Sequence, residues 1–357
     1  MQDSKKSPFV NSDSKKNRHR TKPKKAKSGG PALLLDKLRT SVSEEWAKRR
    51  KKAKIVSIRL KHAGFEKRAV RMDSCLRYVY NVDHSCGHTG YMSTSVNGVN
   101  VERCGDKLCP LCCHIDAGKK ARELDAVLTP YISRHCLYAY FLTLTYLNRE
   151  KLSDFDLKRM NRQVAKLLNS GVFKPYGYHG AYRVLEVHDT IKGQWHPHHH
   201  VLLLTEQPIP LIETGNHIGE WQNAFNQAVS DEWLRITKDS IIVKGVDFDG
   251  NMRELTKYMH KGVQYLNKDK LAELAVWSKG VRRCGFIGKL YNNPEIKAAR
   301  EQHGIDERLA KSDGPTCKLC GCNEYTVTLL KWDGLKYVPD RVLSYETHET
   351  YEARAGP

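Results

Sequence analysis

No apolar run in this chain reaches the roughly 18 residues that a membrane-spanning helix requires, so no span is expected. The N-terminus is charged but has no apolar h-region, which argues against a secretory signal. There is no internal repeat, which excludes solenoids and propellers. Acidic residues are too few to balance the basic ones. The 357 residues hold 40 Asp and Glu against 60 Lys and Arg, a net charge of +20. So positive a field attracts polyanions, with nucleic acid the leading class and an anionic membrane surface the other. No strong basic amphipathic helix supports the membrane. Apolar residues make up 40% of the chain, enough for a core in one large or two modest domains. Eleven cysteines are present, several in C-x-x-C pairs, and without a secretory signal they point to metal-bound thiolates rather than disulfides. A cytoplasmic protein is expected.

Residues 1–31 have almost no apolar side chains, and ten of the first 30 are Lys or Arg against two Asp. Such a segment cannot build a core and reads as a disordered basic arm. Residues 32–71 read as a basic helical segment, with the run Lys48-Arg49-Arg50-Lys51-Lys52 either a solvated face or a DNA contact. Residues 72–115, rich in Cys, His, Gly, Asn and Ser, read as a metal-organised module. Residues 116–270 then follow the order β-α-β-β-α-β-α. This predicts an α+β domain with a mainly antiparallel sheet and helices on one face. Ser153 is the expected N-cap of the first helix within it, and Cys136 an expected core residue. Residues 271–357 form a C-terminal region containing a further C-x-x-C pair.

Chemistry concentrates in Trp195-His196-Pro197-His198-His199-His200-Val201-Leu202-Leu203-Leu204. Alternate residues of a strand share a face, so His196, His198 and His200 fall together and could chelate a divalent cation. A hairpin with the strand Gly180–Val187 places Glu186 opposite them, either as a third ligand or in a cross-strand ion pair. Further on, Met252–Leu266 reads as one helix. On it Glu254 and Tyr258 stand at i and i+4, with Lys257 and Lys261 beside them and Tyr265 on the same side. A phenol near a carboxylate and two cations can serve as nucleophile and base; an amphipathic helix with Glu–Lys pairs is the competing reading.

Three segments in order, Phe141-Leu142-Thr143-Leu144-Thr145, the His196–Leu204 strand, and Glu254–Tyr265, resemble the motifs of plasmid rolling-circle replication initiators. These belong to the HUH endonuclease superfamily. The resemblance covers residues 138–266, with a weaker extension back to Cys86. It implies metal-dependent, site-specific DNA nicking and strand transfer at a single-stranded or cruciform origin. His198 and His200, with Glu186 and less directly His196, would hold Mg²⁺ or Mn²⁺. Tyr258 would be the nucleophile, forming a 5′-phosphotyrosyl link and leaving a 3′-OH primer. Glu254 would activate water at termination, and host helicase and polymerase would be partners. A relaxase or transposase of the same superfamily shares the histidines and tyrosine. His199 departs from the pattern, which calls for a bulky apolar residue. Gln264 stands where relatives often carry Asp, which makes packing the expected role of Tyr265.

Arg103-Cys104-Gly105-Asp106-Lys107-Leu108-Cys109-Pro110-Leu111-Cys112 resembles the Cys-rich stretch that precedes the catalytic domain in this family. Cys104, Cys109 and Cys112, with Cys86 as the fourth thiolate, are expected to hold a structural Zn²⁺. Cys75, His84, His88, Cys113 and His114 compete for that place. Cys317-Lys318-Leu319-Cys320-Gly321-Cys322 is half of a second site, with Cys284 and His303 the nearby candidates. A non-catalytic zinc-dependent DNA-binding regulator would use the same charge and cysteines but would not need the histidines or the Glu254–Tyr258 pair.

Overall fold

The computed structural model describes residues 31–87, 90–96, 99–190, 192–212, 220–238, 243–256, 262–312, 316–317 and 319–343. The chain opens with α1 (Pro31–His62) and α2 (Glu66–Ser74). The strands β1 (Tyr78–His84), β2 (Gly90–Ser93), β3 (Ser95–Val96) and β4 (Val99–Asn100) lead into α3 (Pro110–Arg134). Next come β5 (Tyr138–Thr145), α4 (Leu157–Leu168), β6 (Tyr178–Asp189), β7 (Trp195–Thr205), β8 (Leu211–Ile212) and β9 (Glu220–Trp221). Then follow α5 (Asn223–Thr237), β10 (Val243–Asp247), α6 (Met252–Thr256), α7 (Lys268–Trp277) and β11 (Cys284–Gly288). The last elements are α8 (Pro294–Ser312), β12 (Tyr325–Trp332) and β13 (Tyr337–Leu343). No helix among the described residues is long and apolar enough to cross a membrane.

The expected α+β architecture is present. Seven strands form an antiparallel sheet in the order β11-β6-β7-β5-β10-β9-β8. β6 and β7 make the expected hairpin. Its turn is closed by Thr190 N–H donating to Gln194 O at 2.8 Å, with Gly193 at φ 70°, where a side chain would be strained. β7 lies inside the sheet, flanked by β6 and β5, and its Val201–Leu204 run is buried throughout. A strand covered on both faces needs such an unbroken apolar run rather than an alternating one.

Helices lie on both faces of this sheet rather than on one. Val201 and Leu203 share a core with Val164 and Leu167 of α4 and Val229 and Trp233 of α5. Leu202 and Leu204 point the other way, into a second core with Leu124 and Leu128 of α3, Met252 and Leu255 of α6 and Ile296 of α8. The continuous apolar run of β7 is what admits a second helical layer. α4 is capped by Asp156, whose carboxylate accepts from Arg159 N–H at 3.0 Å, so Ser153 is not the cap. Ser153 stands one turn earlier, in a short 3₁₀ turn.

A second sheet has the order β13-β12-β1-β2. Strands from the two ends of the chain pair there, β1 against β12 from Tyr78–Lys331 to His84–Tyr325. β11 meanwhile forms the edge of the large sheet against β6. Residues after 270 are therefore woven into both sheets, across the expected boundaries at 115 and 270. Cys136, expected in the core, is exposed at a positive-φ turn between α3 and β5.

Gly245 of β10 lies against the buried Trp221 of β9, and a Cβ there would overlap the indole. Gly245→Ala is expected to destabilise the protein by roughly 1–3 kcal/mol, the usual cost of overpacking, read as a drop in thermal midpoint. An unchanged midpoint would mean that the indole is free to swing aside.

Candidate metal and DNA-processing site

The β6–β7 register sets Glu186 directly opposite His198, with His200 one pleat along on the same face. His198 Nε2 and His200 Nε2 donate to the same carboxylate oxygen of Glu186, at 2.8 and 3.1 Å. All three side chains are buried, Glu186 to 2% exposure. Burial alone would raise the Glu186 carboxyl, but the two imidazoles outweigh it and hold it at about 2. An ionised carboxylate this buried has to be compensated. One ligand atom from each residue lies within 4.8 Å of the others, so the set could hold a metal ion. Two imidazoles and a carboxylate suit a divalent cation.

The surroundings orient these groups. His200 Nδ1 meets Thr143 Oγ1 at 3.3 Å, which leaves Nε2 turned to the site. Phe141 stacks on the same ring, with centroids 5.3 Å apart. The first motif thus steadies the second. His196 is not brought into the ligand set; it is held by Asn148 Oδ1 at 2.6 Å from its Nδ1. Burial, then the charges of His198 and His188, lower its pKa to about 4. His188 is a neighbour missed in the sequence, although it alternates with Glu186 along β6. Its Nδ1 lies 3.8 Å from Glu186 Oε1. His199 points to the opposite face, fully buried, where Tyr146 Oη meets its Nδ1 at 3.3 Å. Burial there keeps it neutral, its pKa well below the usual imidazole value.

α6 packs on the same face of the sheet, two pleats from His200, through Leu255 against the Leu202–Leu204 end of β7. It carries Glu254, which is half-buried. Tyr258, Lys257 and Lys261 lie outside the described residues. The third motif is not one continuous helix, because Gly262 adopts φ 84° and Val263–Tyr265 forms a 3₁₀ turn. This change of direction leaves Tyr265 78% exposed rather than packed. Arg59 of α1 holds the far end of the motif, donating to the carbonyls of Gln264 and Leu266, each at 2.6 Å. Nothing local in the sequence signals that contact.

A family model described as "Replication protein" matches residues 97–332, well over half of the chain. The chain belongs to the replication protein family. No curated protein and no solved structure matches it. The match runs from the Cys-rich stretch through the large sheet to the end of β12. Membership brings an initiator role in DNA replication and DNA binding.

The Cys-rich stretch of this replication protein folds around Cys75, Cys104, Cys109 and Cys112, whose sulfurs all lie within 4.8 Å of one another. The Cys75–Cys112 and Cys104–Cys112 separations are 3.5 Å and Cys109–Cys75 is 3.8 Å. A tetrahedral zinc with bonds of about 2.3 Å spaces its sulfurs by about 3.8 Å. Backbone N–H groups of Cys104 and Asp106 donate to the Cys75 and Cys104 sulfurs, as they would to thiolates. The fourth thiol is therefore Cys75, at the end of α2, and not Cys86. Cys86 follows β1, which carries the chain to the far end of the small sheet, beside Cys317 and Cys320. His84 is buried near Tyr91 and Tyr325, and His88 lies outside the described residues. Cys113 donates to Lys107 O at 3.1 Å.

Arg68 ties this module to the rest of the replication protein. It grips Asp106 with two hydrogen bonds of 2.8 Å and reaches Ala275 O in the last turn of α7 at 3.2 Å. The basic run of α1 divides its labour. Arg49 pairs with Glu45 at 2.8 Å, and the buried Arg50 donates to the carbonyls of Met72 and Asp73 at the end of α2. Lys51, Lys54, Lys61 and Arg77, with Trp332, line a groove of about 860 Å³ between α1 and the β12–β13 turn.

Proposed function

We propose that this replication protein starts rolling-circle synthesis by cutting one strand of its origin through Tyr258. The observation that carries the reading is the buried Glu186, His198 and His200 set, on the sheet face that α6 covers. The tyrosine is supplied by the sequence two residues beyond α6. Glu186, His198 and His200 would hold Mg²⁺ or Mn²⁺. That ion, when bound, supplies Lewis-acid polarisation of the scissile phosphate.

The chain's own residues do the rest. The Tyr258 oxygen attacks phosphorus, the bond to the 3′ oxygen breaks, and that oxygen leaves with a proton as the 3′-OH primer. The 5′-phosphate stays on Tyr258. Lys257 and Lys261 stand in sequence where they can favour the phenolate and contact phosphate. At termination Glu254 acts as general base on water or on an incoming hydroxyl. The 3′-OH is the primer end for a host polymerase, with a host helicase opening the duplex. Cys75, Cys104, Cys109 and Cys112 hold structural Zn²⁺. The cationic groove along α1 supports phosphate contacts that carry no sequence information.

The test is a covalent-adduct assay. Protein, single-stranded origin DNA and Mn²⁺ are mixed and denatured, and the linked peptide is mapped by mass spectrometry. The adduct is expected on Tyr258, absent with EDTA and absent in Tyr258→Phe, which keeps its DNA binding. An adduct on the exposed Tyr265 would replace the nucleophile but keep the reaction. Full nicking by Tyr258→Phe without a new adduct would end the proposal, and DNA binding with no adduct in any protein would favour a non-catalytic regulator.

A further inference from the structure

We infer that Cys86, Cys317 and Cys320 form a second thiolate metal site, one that clamps the C-terminal hairpin to the N-terminal module. The three sulfurs lie within 4.8 Å of one another although they come from opposite ends of the chain. β1–β12 pairing brings them together. His84 pairs with Tyr325 in the last register position, and Ser85 N–H donates to Glu324 O at 3.0 Å beside the site.

The local backbone has the shape of a metal knuckle. Gly321 N–H donates to Cys317 O at 2.8 Å, and Cys317 N–H to Cys322 O at 2.8 Å, which closes the turn on itself. Gly321 sits at φ 74°, where a side chain would be strained. The N–H groups of Leu319 and Cys320 are directed at the Cys317 sulfur, an arrangement that stabilises a thiolate. Cys317 is buried and Cys320 exposed, so two of the thiols of one cluster differ widely in access to solvent.

Three soft thiolates select Zn²⁺ over Mg²⁺, Ca²⁺ or Mn²⁺. The next thiol along the chain is Cys322, two residues after Cys320, whose sulfur donates to Glu324 O at 3.6 Å. The cluster is separate from that of Cys75, Cys104, Cys109 and Cys112 and touches neither Glu186 nor the histidines. It does not depend on the nicking chemistry. The role is structural. At the other end of the β1–β12 ladder Tyr337 Oη donates to Leu76 O at 2.7 Å, and the ion would fasten the His84–Tyr325 end.

The test uses the full-length protein purified under reducing conditions. Zinc per chain is measured in the wild type and in the double variant Cys317→Ser, Cys320→Ser. Iodoacetamide labelling of each cysteine in the native wild type is followed by mass spectrometry, with exposed Cys136 as the reference. The double variant is expected to hold one zinc fewer per chain. Cys320 should be shielded in the wild type and should label as fast as Cys136 once a chelator is added. Cys320 labelling as fast as Cys136 before chelation, with equal zinc in both proteins, would overturn the site. A disulfide-linked Cys86–Cys317 or Cys317–Cys320 peptide would overturn it too. The labelling needs no variant, so a double variant that fails to fold leaves the proposal testable.

Discussion

Replacing His198 by glutamine is expected to lower metal-dependent nicking by at least 10²–10³-fold, roughly the effect of removing one preorganised electrostatic group, while the fold survives. The geometry gives the reason. Glu186 is 2% exposed and its charge is compensated inside the protein by His198 and His200. His198→Ala would take away one of those donors and leave a buried carboxylate under-compensated, at a cost of about 3–5 kcal/mol. It would therefore mix a folding defect with a chemical one. Glutamine keeps a donor of similar length facing Glu186 but cannot serve as an imidazole ligand. The thermal midpoint of His198→Gln without metal should stay near that of wild type. Calorimetric titration with Mn²⁺ should lose the binding isotherm. Nicking at the wild-type rate in that variant would remove His198 from the ligand set.

Much of this site was legible in the sequence because strand chemistry is periodic. Alternation put His198 and His200 on one face, and the short turn through Gly193 fixed the hairpin register that brings Glu186 across from His198. The same alternation correctly sent His199 to the other side. What was not legible depends on pairing between distant segments. A list of spacings put Cys86 ahead of Cys75. Only the course of β1, which carries the chain away from Cys75 toward Cys317, separates them. The second helical layer was missed because a wholly apolar strand such as Val201–Leu204 gives no period from which to assign faces. The break in the third motif was hidden for a related reason. Gly262 does not by itself end a helical pattern, and its left-handed conformation appears only with Arg59 holding the carbonyls that follow.

Stripping the proposed zinc from the Cys75, Cys104, Cys109 and Cys112 site is expected to cost more stability than any single substitution in the large sheet. Cys75, Cys109 and Cys112 are fully buried; Cys75 follows α2, Cys112 lies in the first turn of α3, and Cys104 sits in a segment before α3 that has no helix or strand of its own. Apparent zinc-binding energies of about 10–16 kcal/mol in small thiolate modules are folding energies, because the site does not exist in the unfolded chain. Even about 5 kcal/mol of that, lost from a body of this size, corresponds to a drop of roughly 7 °C in thermal midpoint. The loss should not stay local. Met72, Cys75, Leu76 and Leu108 belong to the same apolar core as Leu142, Val201 and Leu203 beneath the histidines. Arg68 also links Asp106, between two of the cysteines, to the end of α7. Cys109→Ser should therefore release zinc, melt as one cooperative unit at lower temperature, and lose nicking even with Glu186, His198 and His200 intact. The check is a pair of circular-dichroism melts, with and without chelator, run beside a colorimetric zinc-release assay. A midpoint unchanged after zinc has left would show that the four thiols pack as an ordinary core and that the metal is not what holds the module.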